Sequence, residues 1–237
     1  MDKAIYQAIK DGTISEGRVK KNDPNLYKQL EKLGIPVKEG RKVRDIYNCN
    51  ILIDGTRGIV AIGEVQEMVD EGFEQVMREG PLCREPCVGL KVTLVDCKLH
   101  EDAIHRGPAQ VLPAVRLAIK GAMMQAGASM YEPVQVMQFE APQDYIGEIS
   151  RLIQNKRGQL MDMEQHEDQA VIKAKLPVAE MFGFSNDIRS ATSGRGSHYL
   201  VDQMFERLPR ELQEKVIAKI RDRKGLKREE AEENSEE

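Results

Sequence analysis

The sequence contains no tryptophan, and only 5% of its 237 residues are aromatic. Its cores must therefore be built from aliphatic side chains and from the eleven methionines. No apolar run approaches the roughly 20 residues that span a bilayer, and the N-terminus has no signal-peptide apolar segment. With 41% hydrophobic and 31% charged residues, the composition suits a globular protein. We expect a cytoplasmic monomer that does not bind membranes.

The motifs that usually accompany catalysis are also missing. There is no Gly-x-x-x-x-Gly-Lys-Ser/Thr phosphate loop, no Gly-x-Gly-x-x-Gly after a strand, and no His-Glu-x-x-His zinc helix. No serine, histidine and acid set offers a nucleophile. We therefore expect this chain to have no enzymatic activity and no cofactor of its own.

The four cysteines leave a zinc site open as an alternative. Cys83 and Cys87 have a spacing that some zinc sites use, and Cys97 with His100 could supply a second pair. Pro86 and apolar neighbours instead favour ordinary thiols at the start of a strand. Without an export signal, disulfides are not expected.

The net charge of −4 arises at the C-terminus. Residues 227–237 contain two basic and six acidic side chains, so the remainder of the chain is neutral. Neutrality does not exclude RNA binding, because the local field decides binding. The overall charge therefore neither supports nor excludes a nucleic-acid partner.

Hydrophobic spacing in the first half predicts a domain that mixes helices and strands. A long strand is predicted over 88–99, and a change of its apolar side near Leu94 indicates a bulge or a twist. The other predicted elements are helices 2–11 and 24–33, a strand 50–54, a helix 64–78, and a helix that begins between Pro108 and Pro113 and ends near Gln125.

Beyond Glu132-Pro133, where we place a domain boundary, the predicted order is β-α-β-β-α-β. This order is typical of the ferredoxin-like fold, an antiparallel sheet with two helices on one face. A last helix, Arg210 to Arg223, and a disordered acidic tail should follow. The predicted segments are strand 134–140, helix 142–155, strands 159–166 and 169–176, helix 178–191 and strand 198–205.

The densest group of polar residues lies in the strand-to-helix connection 96–110. Binding residues tend to occur on loops that are positioned by rigid elements. Arg106 can bind phosphate, Gln110 can read base edges, and the His105 ring can stack or donate a hydrogen bond. The alternative is a solvated loop whose His100 and Asp102 merely cap the next helix.

A second group lies at 183–197, where Arg189 and Arg195 flank several hydroxyl side chains. These cations could contact phosphate at a helix end. The alternative is that Gly194 and Gly196 simply end a helix and begin an edge strand. The periodicity alone favours the alternative.

Residues 99–110, LHEDAIHRGPAQ, closely resemble the diphthamide loop of archaeal and eukaryotic translation elongation factor 2. Further segments are similar to the final domain shared with bacterial elongation factor G. The resemblance covers roughly 1–227 in family order, and the loop motif is highly specific. The similar segments are 132–134, 155–159, 176–184, 187–190, 194–196 and 223–226.

The resemblance implies an α+β fold class. Residues 1–131 would form domain IV, an α/β fold like the second domain of ribosomal protein S5, and 132–208 the ferredoxin-like domain V. The C-terminal helix would be 209–226, and 227–237 the disordered tail. We also expect a fragment of a longer factor that lacks the first strand of domain IV.

The resemblance also implies a site and its partners. His105 would be the histidine that dedicated enzymes convert to diphthamide and that toxins ADP-ribosylate with NAD. The RNA-contacting tip would comprise His100, Asp102, Arg106, Gly107 and Gln110, while Arg189 and Arg195 would contact the ribosome.

In this family the tip enters the decoding centre during GTP-dependent translocation. The expected partners are therefore the rRNA of both ribosomal subunits and the tRNA–mRNA duplex, and GTP with Mg would bind only a GTPase domain outside this chain. The alternative is a stand-alone RNA-binding or ribosome-associated regulatory protein.

Overall fold

The computed structural model describes residues 1–19, 23–59, 62–166 and 168–226. The predicted disordered tail, 227–237, lies outside the described residues. The chain divides into two compact units, Met1–Ala128 with Ile217–Glu237, and Ser129–Val216. Within the described residues, no helix is both long enough and apolar enough to span a membrane.

The first unit contains a four-stranded sheet of order β1-β2-β3-β4. The strands β1, β2 and β3 pair antiparallel, whereas β4 pairs parallel with β3. The elements in chain order are α1 (Lys3–Lys10), β1 (Gly17–Arg18), α2 (Pro24–Lys32), α3 (Val37–Gly40), β2 (Val43–Tyr47), β3 (Asn50–Asp54), α4 (Ile62–Arg78), β4 (Lys91–Leu94) and α5 (Pro108–Gln125).

The central strand β3 is buried on both faces. Ile51 and Ile53 belong to the hydrophobic cluster that contains the apolar side chains of α1 and α2. Leu52 points the other way, into the cluster formed by α4 and α5. Since successive strand residues face opposite sides of a sheet, the uninterrupted run Ile-Leu-Ile is what this two-sided core requires.

The predicted strand 88–99 is wrong in length, since β4 comprises only Lys91–Leu94. Its last pair is Leu94 with Asp54, the residue at which β3 ends. The Asp54 carboxylate there accepts hydrogen bonds from the backbone N–H and the hydroxyl of Thr56, which closes a turn. The change of apolar side at Leu94 therefore marks the end of the strand rather than a bulge. The strands β1 and β2 and the short helix α3 were not predicted from the sequence.

The second unit has the predicted ferredoxin-like topology. Its sheet has the order β6-β7-β5-β8, and all neighbours are antiparallel. This confirms the α+β fold class. The elements are β5 (Tyr131–Pro142), α6 (Ile146–Asn155), β6 (Gln159–His166), β7 (Gln169–Pro177), α7 (Phe184–Ala191) and β8 (Ser197–Arg207), followed by α8 (Arg210–Arg223).

One face of this sheet packs against α6 and α7. Phe139 and Ile172 are paired across β5 and β7 and are fully buried beneath Ile153 and Phe184 of the helices. The two helices begin later than predicted, because each is preceded by a 3₁₀ turn, Gln143–Tyr145 and Val178–Glu180. The periodicity of apolar residues located the helices but did not distinguish their irregular first turns.

The last helix, α8, falls in both units, since the first unit resumes at Ile217. Arg221 donates to the carbonyl of Leu82 at 3.1 Å, and Lys224 donates to the carbonyls of Cys83 and Arg84 at 3.1 and 2.7 Å. The basic end of α8 is thus engaged with backbone carbonyls of the first unit.

Candidate nucleic-acid interface

The loop between β4 and α5, residues 95–107, is organised by its own polar side chains. Asp102 caps the 3₁₀ turn Ala103–His105 by accepting a hydrogen bond from the Ile104 N–H at 3.1 Å. The Asp102 N–H in turn donates to His100 Nδ1 at 3.1 Å. These local bonds are typical of Asp and His in turns, and they fold the loop back before α5 begins.

Arg106 ties this loop to α4. Its Nε donates to the His100 carbonyl at 2.6 Å, and its Nη2 donates to the Glu101 carbonyl at 2.6 Å. Its Nη1 forms a 2.7 Å ion pair with the carboxylate of Glu64 in α4. The side chain is only 16% exposed, so three of its five N–H donors act within the protein. Arg106 is therefore a positioning residue, and its predicted contact with RNA stays a prediction.

His105 points into solvent at the end of this arrangement. It is exposed, and its ring lies edge-on to the ring of His100, with centroids 4.6 Å apart and planes at 68°. The neighbouring Ile104 is 76% exposed. Two imidazoles and an aliphatic side chain thus form an open surface with stacking and hydrogen-bonding capacity.

Gly107 and Gln110 lie where α5 begins. Gly107 precedes the helix without a side-chain cap, and Pro108 occupies its first turn, a position at which proline is favourable because the N–H would be unpaired. Gln110, two residues after Pro108, is exposed. His105 and four of the five predicted tip residues therefore lie in the loop 95–107, and the fifth, Gln110, lies in the first turn of α5.

The second candidate group surrounds the end of α7. Thr192 is buried, donates to the Ile188 carbonyl at 2.7 Å and accepts from the Gly196 N–H at 2.9 Å. A Cβ on Gly196 would lie 2.7 Å from the Thr192 methyl group, so glycine is required in this turn. The glycine-rich segment thus ends the helix, as the alternative interpretation held.

The two arginines near this turn are both exposed. The Arg195 guanidinium lies 5.5 Å from the centroid of the Tyr145 ring, a cation–π distance. Arg189 is on the outer side of α7. Their contact with ribosomal RNA stays a prediction.

The cysteines are poorly suited to bind zinc. Burial raises the pKa of the Cys83 thiol, and it raises the pKa of Cys87 to about 11. A thiol must lose its proton to become a metal ligand. Among the residues that the structure describes, no three His, Cys, Asp or Glu side chains are grouped for a metal ion.

Sequence reasoning missed Glu64, the anchor of Arg106. It lies 42 residues before its partner, in the first turn of another helix. A contact over such a separation leaves no periodic or motif signal in one sequence. The loop motif could be found from sequence, but its attachment could not.

Comparison with protein families defines the class of the chain. Residues 12–127 match the model of elongation factor G, domain IV, and residues 129–216 match the model of the elongation factor G C-terminus. The two matches meet at the boundary between the two structural units. The chain thus comprises two domains of a translation elongation factor.

Curated relatives agree with this class. The chain is 53% identical over 222 residues to elongation factor 2 of Nanoarchaeum equitans, covering 94% of this chain and 30% of that protein. It is 50% identical over 227 residues to elongation factor 2 of Pyrococcus furiosus, covering 95% of this chain and 31% of the relative. The chain therefore spans about a third of the length of these relatives. It belongs to the family of elongation factor 2 and elongation factor G.

Proposed function

We propose that these two domains form the ribosome-binding arm of an elongation factor 2, which inserts the 95–107 loop into the decoding centre during GTP-dependent translocation of tRNA and mRNA. The observation that carries this proposal is the outward position of His105 on a loop that Arg106 fixes to α4. A contact surface that is already ordered loses less conformational entropy on binding than a mobile one.

Family membership supplies the rest of the proposal. The RNA partners would be the rRNA of both subunits and the tRNA–mRNA duplex, contacted by the tip and by Arg189 and Arg195. The arm itself would not hydrolyse GTP, since GTP and Mg would bind the GTPase domain of the whole factor. Its part is to occupy space and to contact RNA.

Replacing His105 with alanine tests the proposed role. In a full-length elongation factor 2 in which this sequence forms domain IV and the C-terminal domain, we expect single-round translocation to slow about tenfold, which corresponds to roughly 1.4 kcal/mol of lost RNA contact. Ribosome-stimulated GTP hydrolysis should persist, because the variant leaves the GTPase domain unchanged.

Two controls separate this effect from misfolding. Since His105 is exposed, the substitution should change the free energy of unfolding of the 237-residue chain by less than about 0.5 kcal/mol. Lys32→Ala, at an exposed position of α2, should leave translocation unchanged. Translocation at the wild-type rate by the His105 variant would contradict the proposed function.

We further propose that His105 is the residue that diphthamide-synthesis enzymes modify and that ADP-ribosylating toxins then attack. An exposed imidazole on an ordered loop is accessible to such enzymes. Peptide mass spectrometry should find added mass on His105 in protein from its native host and none in protein from a bacterial host that lacks these enzymes. An unmodified His105 in native material would contradict this assignment while leaving the loop's RNA contact open to the translocation test.

A further inference from the structure

A groove between α4 and α5 is positively charged in a chain whose total charge is −4. It encloses about 260 Å³ and lies within the first unit. Three of its lining residues are cations and one is an acid, so its local charge is opposite to that of the chain. The lining residues are Gln75, Val76 and Arg78 of α4, Glu79 directly after that helix, and Arg116 and Lys120 of α5.

The helix α5 contributes the cations that are not neutralised. Arg116 and Lys120 are its two charged residues, and its 18 residues include no acid. Residues four apart lie on the same helix face, with Cβ atoms about 5–6 Å from each other. Within the described part of the chain neither side chain forms an ion pair, whereas Glu79 faces Arg84 at 4.0 Å.

On the α4 side, Arg78 is held in place at the groove. Its Nε donates to the Tyr47 hydroxyl at 2.7 Å, and its Nη2 bonds to the Glu74 carboxylate at 3.0 Å. Glu74 offsets part of this charge, so Arg78 contributes less to the field than the two cations of α5. The Arg78 Nη1 hydrogens take no part in these two bonds.

The spacing of the two helices is fixed by close packing. A Cβ on Gly72 of α4 would lie 2.7 Å from a methyl group of Val115 in α5. Only glycine permits this approach, and Val115 directly precedes Arg116. Arg116 and Lys120 therefore lie on one of two closely packed helices rather than on a loop, which suits a preformed anion site.

We propose that the α4–α5 groove binds the phosphodiester backbone of RNA, with Arg116 and Lys120 as the principal phosphate contacts and Arg78 as a third. The inference rests on the proposed ribosomal function and adds to it a contact surface outside the loop. Arginine and lysine are the side chains that neutralise phosphates, and such contacts fix the position of a protein on RNA without reading its sequence.

The salt dependence of binding tests this groove. Binding of the 237-residue chain to small ribosomal subunits, and separately to deacylated tRNA, is measured by cosedimentation and fluorescence anisotropy across a range of KCl concentrations. For the Arg116→Gln/Lys120→Gln variant, we expect Kd to rise roughly tenfold at low salt and the slope of log K against log[salt] to shrink by about 1.4–1.8, from 0.7–0.9 per lost contact. The RNA that shows the change is the one the groove contacts.

Two matched variants control this experiment. Arg116→Lys/Lys120→Arg keeps both charges and should retain most of the binding and the slope. Lys28→Gln/Lys32→Gln removes two exposed cations that are also four residues apart, on α2, and should leave the slope unchanged. A retained unfolding transition for each variant shows that the fold is intact.

The outcomes separate the groove from the proposed function. Two results would overturn the proposal for the groove alone. One is wild-type binding with an unchanged salt slope in the Arg116→Gln/Lys120→Gln variant, and the other is an equal loss of binding and slope in the Lys28→Gln/Lys32→Gln variant. If the wild-type chain shows no salt-dependent binding to either RNA, both proposals fail: RNA binding by the groove and the ribosome-binding function of the chain.

Discussion

Replacing Gly158 with alanine will destabilise the second unit by about 2–3 kcal/mol. An added Cβ would lie 2.8 Å from the Ile153 carbonyl oxygen, 3.0 Å from the Lys175 carbonyl oxygen and 2.6 Å from a methyl group of Ile153. Two of these atoms are backbone atoms, at the end of α6 and in β7. Ile153 is fully buried, so its side chain cannot move aside without disturbing the core.

Denaturant unfolding followed by circular dichroism measures this effect. Gly147→Ala is the matched control, because Gly147 lies in α6, the helix that precedes Gly158, and its Cβ would meet nothing within 4 Å. Alanine is favoured over glycine in helices by up to about 1 kcal/mol, so the control should be neutral or stabilising. Equal stability of the Gly158→Ala variant and the wild type would show that the turn after α6 adjusts freely.

The first unit should lose stability as the pH rises from about 4 to about 7, and Asp45 should be a principal cause. Asp45 is buried, and burial, followed by the nearby charges of Glu74 and Asp70, raises its pKa to about 6 from the ordinary 3.8. Its Oδ2 has no hydrogen-bond partner among the described residues. Burial likewise raises the pKa of Asp70.

The loss of stability with rising pH follows from the difference in proton binding between the folded and the unfolded chain. Between pH 4 and 6 the folded protein holds a proton on Asp45 that the unfolded chain has released, so a rise in pH favours unfolding. The stabilisation from the raised pKa is fully present below pH 3.8 and is lost as the pH passes through about 6. A shift of about two pKa units corresponds to roughly 2–3 kcal/mol.

Asp45→Asn isolates this contribution. The amide is neutral at every pH, so the variant should be more stable than the wild type by roughly 2–3 kcal/mol at pH 7.5 and about equally stable at pH 4. Asp96→Asn, at an exposed position, provides the control and should have little effect. If Asp45→Asn instead destabilises the protein at pH 7.5, the attraction of the nearby Arg18 to the Asp45 carboxylate outweighs the cost of burying that charge.

The sequence predicted the second unit more fully than the first, because the apolar residues of the second unit follow the regular spacings of strands and helices. The β5–α6–β6–β7–α7–β8 order has strong alternation and helical periodicity, and its core residues, such as Phe139 and Ile153, follow those periods. In the first unit, β1 has two residues and β2 carries the charged side chains of Arg44 and Asp45 within it. A short strand, and a strand that buries a carboxyl group, do not match the alternating pattern by which strands are detected.

The same contrast holds for the candidate sites. The loop 96–110 was found because its motif is continuous, and the structure places His105 on the outside of that loop. The groove of Arg78, Arg116 and Lys120 was not found, because α4 and α5 are distant in sequence and meet only in the folded unit. A site formed between two helices that are distant in sequence leaves no local pattern from which it could be predicted.

The Arg106–Glu64 ion pair limits how the tip could be transplanted onto another protein. A peptide or graft limited to 95–110 would carry the guanidinium but leave behind the carboxylate that receives it at 2.7 Å. A transplanted segment would therefore have to include the first turn of α4 as well as the loop motif. A synthetic mimic would need a carboxylate placed beside the arginine, although the two residues are far apart in the sequence.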